Sequence, residues 1–188
     1  GNTFLDVWGI AGQSSDPDLG AAGVYIDNSS YNNFTNVNGT GASQGFNIGS
    51  GTVTGNVFTN ITAQSILGTA LLLRTTSTNN TFIGVTIPLS NYSISFTDSF
   101  NNTLRNVRMT SGITAINFGV SSANNTLFNI SIFNSELFGL TWISTNANAD
   151  GNNITGLTFN QSNGSIRLIP RITLPVSATV DMTIVNIS

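Results

Sequence analysis

Three stretches decide the fold: Asn79-Asn80-Thr81-Phe82-Ile83-Gly84-Val85, Asn101-Asn102-Thr103-Leu104-Arg105-Asn106-Val107 and Asn124-Asn125-Thr126-Leu127-Phe128-Asn129-Ile130. Each is two asparagines and a threonine, then apolar residues three apart with Gly or Asn just before the second. Outward from these, the second asparagine belongs to a column of seven: Asn2, Asn32, Asn56, Asn80, Asn102, Asn125 and Asn152. Successive intervals are 30, 24, 24, 22, 23 and 27 residues, the period at which solenoid repeats occur. The apolar followers pair as Phe4/Val7, Phe34/Val37, Phe58/Ile61, Phe82/Val85, Leu104/Val107, Leu127/Ile130 and Ile154/Leu157.

A second apolar doublet recurs in every repeat, with one residue between its members: Val24/Ile26, Phe46/Ile48, Leu71/Leu73, Ile94/Phe96, Ile116/Phe118, Leu140/Trp142 and Ile166/Leu168. A spacing of two puts both side chains on one face of a strand, because successive strand residues point to opposite faces. No window sustains the i, i+3, i+4, i+7 pattern of a helical solenoid. The repeat is therefore built of short strands and turns. A column of Asp6, Asn36, Asn60, Gly84, Asn106, Asn129 and Gly156 holds the residue types that accept positive φ, which predicts a corner within each coil.

These Asn-Asn-Thr starts at intervals of 22 to 24 residues resemble the right-handed parallel β-helix of the pectin-lyase-like superfamily, and more narrowly the Asn-rich repeats of archaeal surface proteins. The resemblance implies an all-β, right-handed parallel β-helix of about seven coils over residues 1–169. It also implies an asparagine ladder, with stacked amides hydrogen-bonding from coil to coil at a corner. Residues 170–188 depart from the repeat. The alternation of Ile172, Leu174, Val176, Ala178, Val180, Met182 and Ile184 predicts an antiparallel-style strand or hairpin with one buried face, packed on the last coil, a missing neighbour or another molecule. Residues 13–18 and 144–151 read as loops bulging from the stack.

Composition bounds the function. Charged residues are 7%, against roughly 25% in an average soluble domain, while 27 Asn and 47 Ser plus Thr supply polarity without charge. Five Arg, no Lys and a net charge of −3 give no basic surface for nucleic acid or anionic lipid. The absence of Cys and His removes disulfides, zinc–thiolate sites, thiol nucleophiles and the usual general base. No apolar run approaches the roughly 18 to 20 residues of a spanning helix, so no membrane insertion is expected of this chain. The family's enzymes use clustered Asp with a basic residue, or neighbouring carboxylates. Here Asp6, Asp16, Asp18, Asp27, Asp98, Glu136, Asp150 and Asp181 are scattered over different coils and slots. Arg105 and Arg108 flank Asn106 as solubilising positions, and Asp27 and Arg74 share a slot two coils apart. No catalytic residue, cofactor or metal site is assigned, and the chain is not expected to be an enzyme.

The signal in excess is the N-glycosylation sequon Asn-x-Ser/Thr, which occurs thirteen times: at Asn28, Asn33, Asn38, Asn60, Asn79, Asn91, Asn101, Asn124, Asn129, Asn153, Asn160, Asn163 and Asn186. Chance at this composition gives about seven. Asn79, Asn101 and Asn124 share one slot on consecutive coils, where glycans about 4.8 Å apart would crowd, so partial occupancy is expected, favouring Asn28, Asn38, Asn91, Asn160 and Asn163. A solenoid needs its terminal coils covered. Since nothing before Gly1 caps the first coil, the expectation is a segment of a longer helix or an end closed by another subunit. The function expected is an extracellular or cell-surface structural protein: a glycosylated subunit of a filament, sheath or layer, stacking head to tail on copies of itself. The alternative is a carbohydrate-binding or carbohydrate-active module, or a fragment of a larger adhesin.

Overall fold

A computed structural model describes residues 1–12, 21–119, 121–133, 138–142, 151–161 and 179–186. The chain is an all-β parallel solenoid, and every pairing between named strands is parallel. Three faces can be followed around each coil. The first face stacks β1 (Thr3–Leu5) and β2 (Trp8–Ala11), β4 (Asn33–Gly41), β7 (Val57–Ser65), the first halves of β10 (Thr81–Thr97) and β11 (Thr103–Phe118), β12 (Thr126–Phe133), β14 (Asn153–Gln161) and β15 (Thr179–Asn186). The second stacks β3 (Ala22–Ile26), β5 (Gln44–Ile48), β8 (Thr69–Arg74), the second halves of β10 and β11, and β13 (Phe138–Trp142). The third is narrow, made by β6 (Val53–Thr54), β9 (Ser77–Thr78) and single bridges at Ser30, Phe100 and Ala123.

Both apolar columns stack in register. Phe4, Phe34, Phe58, Phe82, Leu104, Leu127 and Ile154 stand one above another on the first face. Val24, Phe46, Leu71, Ile94, Ile116 and Leu140 do so on the second. The side chains of these columns from Phe34 to Ile154 and from Phe46 to Ile116 belong to one continuous core in which Phe46, Phe58, Phe82, Phe96 and Phe118 are fully buried. The core is thin where the first two faces meet in the second coil, because a Cβ added at Gly39 would lie 2.6 Å from the Gly45 carbonyl and 2.7 Å from the Phe46 ring. It widens along the stack as this slot becomes Ala63, Ile87 and Met109, all buried.

The expected corner column bends as its residue types require, with positive φ at Asp6, Asn36, Asn60, Gly84, Asn106, Asn129 and Gly156. The slot just before the ladder also bends this way, at Tyr31, Gly55, Asn79, Asn101, Asn124 and Gly151. At Gly84 the φ of 71° makes the residue type decisive. Gly84→Val should cost about 2 kcal/mol, whereas Gly84→Asn, the residue other coils use there, should cost less than about 1 kcal/mol. Paired chemical-denaturation curves measure the difference.

Two expectations need correction. All three faces are followed through about five turns, where the repeat count gives about seven. The sixth and seventh coils contribute only β12, β13 and β14, because residues 134–137, 143–150 and 162–178 lie outside the described residues. The expected loops 13–18 and 144–151, except Gly151, and the doublet Ile166/Leu168 fall there or in 13–20. The C-terminal strand is not antiparallel. β15 pairs parallel with β14, from Asn153 opposite Thr179 to Gln161 opposite Asn186, and continues the first face as an eighth rung. Alternation of period two is the same in parallel and antiparallel strands, so the pattern carries no direction.

Candidate functional site

The asparagines separate into an inner file and an outer population. In the inner file Asn56, Asn80, Asn102, Asn125 and Asn152 are wholly buried and Asn32 nearly so. Each donates twice to the Oδ1 of the next: Asn80 through its backbone N (3.0 Å) and Nδ2 (3.1 Å) to Asn102, and Asn102 likewise (3.0 and 3.1 Å) to Asn125. The same pair of bonds joins Asn2 to Asn32, Asn32 to Asn56, Asn56 to Asn80 and Asn125 to Asn152. The second hydrogen of the amide turns back to a carbonyl on the third face of the preceding coil: Asn56 to Ser29, Asn80 to Val53, Asn102 to Ser77, Asn125 to Ser99 and Asn152 to Ser122. An amide offers two hydrogens and one oxygen with two lone pairs, and at Asn102 all are used. The file therefore satisfies the bent backbone at this corner without water.

The sequon asparagines lie outside it. Asn28, Asn33, Asn60, Asn79, Asn101, Asn124 and Asn129 are exposed, and Asn38, Asn91 and Asn153 half-buried. Asn160 and Asn186 lie on the described backbone of β14 and β15, and Asn163 lies outside the described residues. In each Asn-Asn-Thr start the sequon asparagine takes the left-handed corner, the middle residue of the sequon is the buried ladder asparagine, and the threonine opens the strand. One tripeptide thus serves register and presents a surface amide. Some outer amides hold the second corner together: Asn36 donates to Asp6 (3.0 Å), Asn60 to Asn36 (3.3 Å) and Asn129 to Asn106 (2.8 Å). Asn91 reaches the Leu67 carbonyl (3.1 Å), and Asn28 accepts from the Thr52 amide (3.3 Å).

The charged residues do not converge. Among the described residues no three acids form a group. Asp6 sits in the corner column and Asp98 at an exposed positive-φ turn. Asp181 lies in β15, and Asp16, Asp18, Glu136 and Asp150 lie outside the described residues. Arg74 donates from Nε to the Gly49 carbonyl one coil toward Asp27 (3.2 Å). Arg105 and Arg108 are exposed on the outer side of the first face, and the Arg108 guanidinium lies 4.3 Å from the centre of the Phe133 ring, with exposed Phe128 beside them. Sequence reasoning did not pick out this cluster, although the alternation Arg105, Arg108, Thr110 marks outward positions. It also missed the third face, which has only one or two residues per coil.

The phenylalanine strip belongs to the interior, with Phe34, Phe58 and Phe82 stacked at 4.7 and 4.5 Å. Phe4 continues the stack and lines, with Asn2, Val7, Val24, Ile26 and Phe34, a cavity of about 560 Å³ at the coil-one end of the lumen. No family model, no curated protein and no solved structure matches the chain.

Proposed function

We propose that this protein is an extracellular structural element, a glycosylated subunit of a cell-surface filament, sheath or layer, of the kind built from Asn-rich β-helical repeats in archaeal surface proteins. The observation that carries this reading is the division of the asparagines. The inner file spends its hydrogen bonds on holding coil to coil, while all ten sequon asparagines with described side chains reach the surface. A rod with 7% charge needs another source of solubility, and sugar on its sides supplies one. On this reading the fold is a right-handed pectin-lyase-like helix used as a spacer.

Association with copies of itself is the second part of the proposal, and its route runs through β15. Since that strand already pairs with β14, it is not handed to a neighbour; its far edge meets β1 of the next copy, in the same strand direction. Eight rungs at about 4.8 Å give an axial repeat of about 38 Å. Electron microscopy of the native material should show filaments with that repeat, and a glycopeptide map should show modified asparagines. A map without a single modified Asn would overturn the glycosylated reading. Deleting residues 172–188 should abolish polymers and leave the coils folded; unchanged polymers would overturn head-to-tail stacking through β15.

A second reading, a carbohydrate-binding module, rests on Arg105, Arg108, Phe128 and Phe133. Arginine beside one exposed and one half-buried aromatic ring is chemistry suited to an acidic sugar. Acidic oligosaccharide binding lost in Arg108→Ala would favour it.

A further inference from the structure

On the outer side of the first face, coils two and three are polar: Thr35, Asn38 and Thr40, then Thr59, Thr62 and Gln64. The first coil breaks this with Leu5, Trp8 and Ile10, which are 63%, 74% and 83% exposed. Register fixes what lies beside them: Trp8 stands opposite Asn38, Gly9 opposite Gly39 and Ile10 opposite Thr40. Gly39 points inward, since its added Cβ would meet the Phe46 ring, so Asn38 and Thr40 point outward with Trp8. The rung is pinned at this point by the Asn38 backbone N–H, which donates to the Val7 carbonyl at 2.8 Å. A complete sequon, Asn38-Gly39-Thr40, therefore runs alongside an exposed indole one rung away.

We propose that Asn38 is a glycan-acceptor site whose first sugar lies over Trp8, covering the apolar row of the first coil. The inference rests on the glycosylated reading above. The modification is made by a separate glycosyltransferase on the nascent chain. The Asn38 Nδ2 displaces a phosphate-bearing leaving group from the anomeric carbon of an activated oligosaccharide, a C–N bond replaces the C–O bond, and one amide proton is lost to the transferase base. A pyranose has a face of C–H groups, and an indole offers a flat, electron-rich surface to it. Two features favour Asn38 as a site. Its neighbours in the same slot are Trp8 and Thr62, so no second acceptor stands a rung away, unlike Asn79, Asn101 and Asn124. It also has an aromatic partner in direct register. Asn160, which stands between Phe133 and Val185 in register, shares both, though the Phe133 ring already faces the Arg108 guanidinium.

The test uses the full chain secreted from a eukaryotic host that attaches N-glycans, as wild type and Asn38→Gln. Glycopeptides are mapped, and oxidation of Trp8 by hydroxyl radicals is read peptide by peptide. The expected result is a modified Asn38 and Trp8 oxidation at least about threefold lower than in Asn38→Gln, with protection retained when the glycan is trimmed to its first sugar. Equal Trp8 oxidation in modified wild type and Asn38→Gln would overturn the proposal. So would an unmodified Asn38 on a chain modified at other sequons. A chain with no modified asparagine would instead remove the glycosylated reading itself, and this inference with it.

Discussion

Phe58→Ala is expected to cost about 3–5 kcal/mol and lower the melting temperature by about 6–20 °C. The Phe58 ring lies between Phe34 and Phe82, 4.7 and 4.5 Å away and nearly parallel to both. All three are buried and belong to strands whose spacing is set by backbone hydrogen bonds. The neighbouring rings cannot close over a missing one, because their height is fixed by the rungs, so the cavity persists and loses contacts on both sides. Phe58→Leu should cost only about 1 kcal/mol, since Leu104 and Leu127 fill the same column further along. Thermal and urea unfolding followed by circular dichroism would separate the two variants. Equal losses would mean that ring stacking, rather than filled volume, sets the stability of the column.

Asn102→Ala is expected to cost about 3 kcal/mol despite removing no apolar surface, because it leaves several buried groups without partners. The Asn80 backbone N–H and its Nδ2 lose their shared acceptor, the Ser77 carbonyl loses its donor, and Asn125 Oδ1 loses one of two. Asn106 gives the control. Its Oδ1 accepts from Asn129 at 2.8 Å, but in the open, where water replaces the bond, and its φ of 55° suits glycine. Asn106→Gly should therefore change stability by less than about 0.5 kcal/mol. If the two variants were alike, burial would not be what gives the inner file its strength.

Much of the architecture was legible because the repeat shows each slot several times. One Phe three residues before a Val says little; seven such pairs beside an asparagine column place a core, a ladder and a corner. Where a feature occurs once, that averaging fails. Trp8 occupies a slot that is Asn, Thr or Arg in coils two to five, and only its register against Asn38 shows that it faces outward. The direction of β15 was not in its alternation either, since a strand of either direction alternates with period two. The file's polarity, with the backbone N–H and one amide hydrogen of Asn2 through Asn125 directed to the Oδ1 one coil toward the C-terminus, is likewise invisible in a list of seven identical residues. Of the candidate site, the sequons were legible as a motif. Their separation from the buried file was only partly so, because adjacent asparagines such as Asn79 and Asn80 differ in nothing but the direction the backbone gives them.

The bonds of the inner file, the strand pairings and the ring stacks all run along the axis of the stack, so under a pull each coil-to-coil junction behaves as one spring in a series. Extension in such a chain of springs gathers at the softest member. Between β14 and β15 the register slips at the corner, with two residues between Ile154 and Leu157 facing one between Val180 and Met182. In the sequence Thr179 follows Ala178, where the first-face strand that opens each preceding coil follows an asparagine. Held at its two ends and stretched, the rod should part there first, at a force below that needed to open any junction within the file, which sets this final rung apart as its mechanical fuse.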